Sequence, residues 1–359
     1  MAVFYFSLVV TFILSLGERI LRKKTKMAVI FTITIIAIFS IVSGLRNNIG
    51  DTQHYIHLYN VIDTEYETIK GAYESGFLAF LLLLKRISTD PQFMLIITSI
   101  IINTLNIWTI RKYTKDSYYE LGVFMYIASG YYLVTMNGIR QALVAAILFA
   151  AVKYIIEGKF IKYLLLIILM MYFHNSVFVM IPIYFIGRTE AWSKQIRNLL
   201  IIFCIGILCY QPAMEILFSL LKGTRYSAYD GFNAQGANIL RVVVSAVPVL
   251  LAYFKREELK EWKYNNIFVN ISLINFIVMT FSKFTWIFAR FSIYTQLYTF
   301  VLLPVVIDKA FKNKKEKVIL YYFLIGCYII FFFVEHKLSL NIIYESNFKL
   351  SDIFYNVIR

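Results

Sequence analysis

The chain has 359 residues, of which 60% are hydrophobic and only 16% are charged. Soluble domains have about a quarter charged residues, so this composition excludes an ordinary water-soluble protein. The net charge of +15 does not indicate nucleic-acid binding, because the basic residues lie in small clusters between apolar runs and form no stripe with interleaved aromatic residues.

Apolar runs recur along the whole sequence, and many approach the ~20 residues that cross a bilayer as a helix. They predict an all-α, polytopic membrane protein with a single domain, 1–359. Cys204, Cys209 and Cys327 lie inside such runs and are expected to be buried small hydrophobic residues. The predicted spans are 3–17, 27–44, 92–110, 119–136, 139–156, 160–173, 175–187, 198–220, 237–254, 265–283, 286–307 and 317–334.

The short apolar segment 76–88 decides the predicted topology, because it ends in Lys85 and Arg86. Cytoplasmic loops collect lysine and arginine. Most basic residues lie in cytoplasmic loops if this segment does not cross and the N-terminus is outside; if it crosses, every later loop changes side. The sequence thus predicts about 12 transmembrane helices plus a short re-entrant or interfacial helix, with extracytoplasmic loops 45–91 and 221–236.

The first candidate site residues follow the second span. Arg46, Asp51 and Tyr55 lie in the pattern Gly-Leu-Arg…Gly-Asp-Thr…Tyr of residues 44–55. Asp51 is interpreted either as a site carboxylate or as the plain N-cap of a loop helix at 52–62, where its side-chain oxygen would accept a backbone N–H. Arg46 has the alternative of extending to lipid headgroups.

Two further clusters are predicted at the outer face. Glu74 begins the short segment, where a carboxylate can act as a base or complement the helix N-terminus. Asn137, Arg140 and Gln141 stand at the mouth of the apolar helix 139–156. The planar guanidinium of Arg140 suits the oxygens of a phosphate.

His174 lies at the tip of a hairpin whose arms are short for membrane spans, and it is the only histidine that the predicted spans place at membrane depth. Arg241 and Arg290 lie below the outer edge of their spans, far from the cytoplasmic loops. Ionisable groups at such depth usually face a cavity or a partner. The loop 221–236 adds candidate residues for binding a sugar or a lipid headgroup, namely Arg225, Tyr226 and Tyr229.

This constellation suits a lipid that carries a diphosphate. Arginines would neutralise the phosphates, and a histidine or carboxylate would accept a proton from an attacking hydroxyl. His174 is preferred as the base because histidine titrates near neutral pH, with Asp51 and Glu74 as the other catalytic candidates. No cofactor and no metal site is expected. The residues assigned to the diphosphate are Arg46, Arg140, Arg241 and Arg290.

Six ordered motifs carry a family resemblance over nearly the whole chain. They are Gly-Leu-Arg…Gly-Asp-Thr…Tyr (44–55), Glu-x-Gly-Phe (74–77), Ile-Arg-Gln (139–141), Phe-His-x-Ser (173–176), Ala-Arg-Phe…Tyr (289–294) and Asn-Ile-Ile-Tyr (341–344). Together they resemble the EpsG family of Wzy-like polymerases, which make bacterial exopolysaccharides and capsules.

The resemblance implies a metal-independent glycosyltransferase of GT-C-like fold in the bacterial cytoplasmic membrane. Undecaprenyl-diphosphate-linked oligosaccharides would be its substrates, and the lipid bilayer, a chain-length regulator and a flippase of the same pathway its partners. Two alternatives stay open: an O-antigen ligase-like transferase, and a flippase or transporter of lipid-linked oligosaccharides. A transporter is disfavoured because the ionisable residues cluster on one side and no repeated halves are visible.

The topology is testable by labelling introduced cysteines. We expect a membrane-impermeant thiol reagent to label Lys85→Cys in intact cells, and Lys112→Cys only after the membrane is opened. The reason is that the segment before Lys85 returns to the outer face, whereas span 92–110 crosses. Cytoplasmic accessibility of both positions would show that the predicted spans are wrong there.

Overall fold

The computed structural model describes residues 1–115, 117–210, 215–216, 219–220 and 236–347. Across these ranges the chain is helical and contains no β-strand; one isolated antiparallel bridge joins Arg46 to Ser346. The predicted all-α class is therefore confirmed. The loop candidates Arg225, Tyr226 and Tyr229 lie outside the described ranges.

The helices follow one another with short connections. In chain order they are α1 (Ala2–Leu21), α2 (Val29–Gly44), α3 (Thr52–Val61), α4 (Tyr66–Ile69), α5 (Ser75–Lys85), α6 (Pro91–Tyr113), α7 (Tyr119–Ala128), α8 (Tyr131–Asn137), α9 (Ile139–Ala150), α10 (Val152–Ile156), α11 (Phe160–Met171), α12 (Met180–Arg188), α13 (Lys194–Leu208), α14 (Ile239–Phe254), α15 (Arg256–Leu259), α16 (Asn265–Phe281), α17 (Ile287–Ala310) and α18 (Lys314–Phe332). A 3₁₀ turn, Asn175–Val179, precedes α12, and a π-helical segment, Phe333–Ser339, continues α18.

Among the described residues, five helices are long and apolar enough to cross a membrane: Ala2–Leu21, Lys26–Gly44, Pro91–Tyr113, Ile287–Ala310 and Lys314–Ser339. Shorter apolar helices, such as α7, α9 and α16, fill the space between them. Helix α17 is the central element, with 83% of its most apolar stretch buried against α7, α9, α14 and α16. The count of twelve crossings stays a prediction.

Two predicted spans are interrupted in the structure. Residues 119–136 form α7 and α8, which are separated by Gly130 in the left-handed region at φ 82°. The predicted helix 139–156 likewise breaks at Ala151, between α9 and α10. Hydropathy does not register either break, because apolar side chains continue across both joints.

The expectation that the cysteines are buried is wrong. Cys204, Cys209 and Cys327 are all exposed, beside exposed isoleucine and phenylalanine side chains of α13 and α18. In a bilayer an apolar side chain gains nothing by moving inward, since lipid tails are as apolar as a protein core. A small apolar residue in a span is therefore a poor indicator of burial.

The bundle has two chemically different ends. At the first, which we call the Glu18 end, the fully buried Glu18 carboxylate pairs with Arg22 at 3.0 Å and with Arg111 at 2.5 Å. A second buried carboxylate nearby, Glu120, pairs with Arg19 at 2.8 Å. These contacts join the end of α1 to the end of α6 and the start of α7.

At the other end, which we call the Arg46 end, the loop after α2 meets α8 and the last described residues of the chain. Both ends of α5 are held by contacts close to this end of the bundle. Its first turn bonds to the hairpin, with the Phe77 N–H donating to the Tyr172 carbonyl at 3.1 Å. Its last residue, Lys85, pairs with Asp63 at 2.5 Å, and α6 then begins with Gln92 donating to the Gly44 carbonyl at the end of α2.

We expect Glu18→Ala to lower the free energy of unfolding by about 3 kcal/mol, near the low end for breaking a buried ion pair because the two arginines keep partial exposure. The side chains of Arg22 and Arg111 would lose the carboxylate they share. Unfolding of the purified protein in detergent measures the change. Glu67→Ala is the control, since its pair with Lys70 is exposed; equal effects of the two variants would contradict this role of Glu18.

Candidate functional site

The loop after α2 is fixed by a buried cation. Arg46 is 1% exposed. Its Nε donates to the Thr52 hydroxyl at 2.9 Å, one terminal nitrogen donates to the Met136 carbonyl at 3.0 Å, and the other to the Ser43 carbonyl. Burial lowers the pKa of Arg46 to about 10, so the side chain stays charged at neutral pH. Its hydrogen bonds are to the protein itself, so Arg46 positions the loop.

A close contact between Gly50 and Asn137 also fixes this loop. Gly50 lies in the left-handed region at φ 54°, and a β-carbon there would stand 2.3 Å from the Asn137 amide oxygen. That oxygen accepts the Asp51 backbone N–H at 2.9 Å. Asp51 is exposed and precedes α3, but its side chain makes no cap hydrogen bond, so the plain N-cap interpretation is not supported.

The last described segment pairs with this loop. The Asn47 N–H donates to the Glu345 carbonyl at 3.0 Å, and the Asn48 amide donates to the Ile343 carbonyl at 3.0 Å. The Tyr344 hydroxyl donates to the Val42 carbonyl at 2.9 Å. The first and last motifs of the sequence are therefore neighbours in space.

Glu74 and Arg140 form an ion pair, in which the Glu74 side chain is only 8% exposed. The Arg140 guanidinium also lies 5.0 Å from the ring centre of Tyr73 and interacts with the hydroxyl of Tyr55, which is buried. This pairing means that the positive charge of Arg140 is already balanced by a carboxylate within the protein.

The hairpin contacts the same pair. His174 precedes the 3₁₀ turn at the hairpin tip, as predicted, and is partly buried. The neighbouring Asn175 N–H donates to Glu74 at 3.3 Å, and the Ser176 hydroxyl lies 3.0 Å from that of Tyr294. Gln141, from the third motif, donates to the Arg290 carbonyl at 2.7 Å.

A cavity of about 690 Å³ lies at the Arg46 end, between the α7–α8 joint, α14, α16, α17 and the last described segment. We call it the arginine cavity. Much of its wall is apolar, with Leu133, Val244 and Phe300 among the residues. Its amide, imidazole and guanidinium side chains are those of Asn48, Asn137, Arg241, Asn275, Arg290, Gln296, His336 and Asn341, and hydroxyl groups come from Ser129, Ser245, Ser292, Thr299 and Tyr328.

Two of the four predicted arginines line this cavity. Arg290 is exposed, and its guanidinium lies 4.6 Å from the ring centre of Trp286. No carboxylate from the described part of the chain is within ion-pair distance of it. Arg241 instead pairs at 2.6 Å with Glu335, a buried carboxylate that also accepts the Asn238 amide at 2.9 Å.

All six motifs of the sequence thus converge on the Arg46 end, although they are spread over residues 44–344. The EpsG family model matches residues 29–348, which is most of the chain. The chain belongs to the EpsG family. Comparisons with curated proteins and with solved structures gave no match. Membership of the family indicates a membrane protein of the polysaccharide-polymerase type.

The arrangement in this EpsG-family protein separates the predicted residues into two groups. Arg241, Arg290 and Asn137 line the arginine cavity, as does Gly50, the neighbour of Asp51. Glu74, Arg140 and Tyr55 form a cluster beside it, to which Gln141 and the hairpin of His174 connect. His174 itself is not among the residues that line the cavity.

Sequence reasoning missed Glu335 and His336. The predicted last span ended at residue 334, whereas the helix continues through the π-helical segment and buries both side chains. The candidate span Lys314–Ser339 includes His336, so the prediction that His174 is the only histidine at membrane depth is wrong. The available signal was the Glu-His pair directly after an apolar run, where two ionisable residues would meet the membrane edge.

We expect Gly50→Ala to reduce polysaccharide production by cells and to lower protein stability by about 1–2 kcal/mol, the cost of a left-handed backbone for an L-residue. The new methyl group would also displace Asn137 and break its bond to the Asp51 N–H. Gly71→Ala is the matched control, because a β-carbon there meets nothing within 4 Å. Normal polymer from the Gly50 variant would show that this contact does not shape the site.

Proposed function

We propose that this protein polymerises polysaccharide repeat units at the outer face of the bacterial cytoplasmic membrane. The donor would be a growing glycan on undecaprenyl diphosphate, and the acceptor a single lipid-linked repeat unit. The observation that carries the proposal is the arginine cavity, in which two guanidinium groups stand among amide side chains and an apolar wall. Guanidinium groups can bind the phosphates, amides can hydrogen-bond to sugar hydroxyls, and an apolar wall can contact the lipid chain.

In the proposed reaction, the acceptor hydroxyl attacks the anomeric carbon of the donor sugar. A new C–O bond forms while the bond from that carbon to the diphosphate oxygen breaks. The leaving oxygen takes the electron pair, and the hydroxyl proton passes to a base. Negative charge grows on the diphosphate, so cations placed beside it stabilise the transition state.

Arg290 is best suited to hold the diphosphate. Its flat guanidinium can give two parallel hydrogen bonds to phosphate oxygens, and stacking near Trp286 fixes its plane. The charges of Arg140 and Arg241 are balanced by Glu74 and Glu335, so these two arginines would add hydrogen bonds with less net charge. With such cations, the proposed transfer needs no metal ion.

The surrounding cluster is proposed to bind the sugars. The Asn137 amide lines the cavity and is proposed to contact a sugar, while the buried Gln141 and Tyr55 are proposed to position Arg290 and Arg140. Arg225, Tyr226 and Tyr229 are proposed to complete this surface from the adjoining outer loop. Asp51 is proposed to contact the acceptor sugar, since its exposed side chain borders the cavity-lining Gly50.

We further propose twelve crossings, a GT-C-like arrangement, and the Arg46 end as the outer end. The Glu18 end supports this sidedness, because the predicted cytoplasmic residues around positions 22 and 111 meet there. Helix α5 supports the interfacial assignment: it has eleven residues, and contacts near the Arg46 end hold both of its termini. At ~1.5 Å per residue it is too short to cross a bilayer.

The decisive variant is Arg290→Lys, which keeps the charge and removes the bidentate fork. We expect polymer synthesis to fall about 100-fold, as when a transition-state donor is lost, while protein level is unchanged and single lipid-linked repeat units accumulate. Gel analysis of polymer and mass spectrometry of extracted lipids measure both. Arg256→Lys is the control, because the Arg256 side chain is exposed and does not line the arginine cavity.

Cells that lack this chain separate the alternatives. A polymerase defect leaves single lipid-linked repeat units at the outer leaflet, whereas a flippase defect leaves them at the inner leaflet. A ligase-type transferase would leave finished polymer on its lipid carrier. Either of the last two results, or normal polymer without the chain, would overturn the proposal.

A further inference from the structure

His336 occupies an unusual place in the arginine cavity. It lies in the π-helical segment Phe333–Ser339 and is 5% exposed, yet its side chain lines the cavity. A π-helical turn accommodates an extra residue, and such turns are frequent at functional sites. The ring packs between Phe332 and Phe331, at centroid distances of 4.8 and 6.0 Å, so its orientation is fixed.

One hydrogen bond sets the tautomer of this histidine. The His336 Nδ1 atom lies 3.2 Å from the Phe332 carbonyl oxygen. A carbonyl oxygen can only accept, so Nδ1 must carry the hydrogen when this bond forms. In the neutral ring, Nε2 then has a lone pair and can accept a proton.

The residue that faces this nitrogen is a glycine. Gly130, at the joint between α7 and α8, has φ 82° and also lines the cavity. A β-carbon at this position would stand 2.2 Å from His336 Nε2. The left-handed glycine therefore leaves room for the ring edge that bears this nitrogen, and any side chain at residue 130 would displace it.

The charged groups that act on His336 in the described structure are Glu335, on its own segment, and Arg241 of α14. These two groups pair with each other at 2.6 Å. Because these two groups are paired, neither acts on the ring as an isolated charge. The segment around Gly130 contributes no carboxylate, lysine or arginine to this wall.

We propose that His336 is the general base of the transfer, with Nε2 accepting the proton of the acceptor hydroxyl as that oxygen attacks the anomeric carbon. This inference rests on the proposed function and deepens it. It places the base in the wall that also contains Arg241 and Arg290. It also replaces His174, the histidine favoured by the sequence, which does not line that cavity.

The test uses the purified full-length protein in detergent with lipid-linked repeat units extracted from cells that lack this chain. His336→Gln keeps a hydrogen-bonding group but cannot take up the proton. We expect kcat to fall about 100-fold or more, the usual contribution of a general base, with KM within about threefold of wild type. His57→Gln, at an exposed histidine of α3, is the matched control, and we expect it to retain near-normal kcat.

The pH profile gives a second readout that a merely structural role would not change. A neutral histidine base loses activity as the pH falls and the ring becomes protonated. We therefore expect an acid limb in the wild-type pH profile of kcat, and its absence from the residual activity of His336→Gln. His336→Asn, which retains a donor near the Nδ1 position, provides a second variant if the glutamine protein does not fold.

The outcomes are distinguishable. A wild-type protein that does not extend the repeat units contradicts the proposed function itself. A wild-type protein that extends them with a flat pH profile, or a folded His336 variant with normal kcat, overturns only the assignment of the base. Loss of activity in His174→Gln alone would return the role to the hairpin.

Discussion

The buried guanidinium of Arg46 is the interaction on which the site depends. Its hydrogen bonds connect the end of α2, the start of α3 and the end of α8, which hydropathy treats as separate pieces. A charge buried to this degree is costly unless its donors are satisfied. Because they are satisfied only when these segments meet, Arg46 requires one arrangement of the loop, and that loop supplies Asn48 and Gly50 to the cavity.

The other arginines of the site have two different roles. Arg140 balances Glu74 and ties the hairpin to α9, while Arg241 balances Glu335 and ties α14 to the π-helical segment. Such pairs contribute little net charge but fix geometry, because losing either partner leaves a poorly solvated ion. Arg290 differs, since within the described ranges it faces an aromatic ring and no acidic partner. A single uncompensated cation at the wall attracts anions without making the whole cavity strongly basic.

Much of this could be read from the sequence. Apolar runs located most helices, and the search for polar residues within or beside those runs found Arg290, Arg241 and Asn137, which line the cavity. The breaks at Gly130 and Ala151 could not be read, because hydropathy reports side-chain polarity and not backbone conformation. Pairings such as Glu74 with Arg140 join positions far apart in the chain, and one sequence contains no signal for them. His336 was missed for a related reason: a span boundary set by hydropathy excluded it.

The pairing of the loop 45–48 with the segment 341–346 has a consequence for how the protein is made. The ribosome makes the loop 45–48 long before the segment 341–346, since the paired residues Asn48 and Ile343 are 295 positions apart. The hydrogen bonds that close this wall cannot form until α18 and the segment 341–346 have been made. Membrane insertion and the onset of activity are therefore coupled, and a nascent chain stalled before the last helix would present an open, incomplete pocket to the lipid-linked sugars around it.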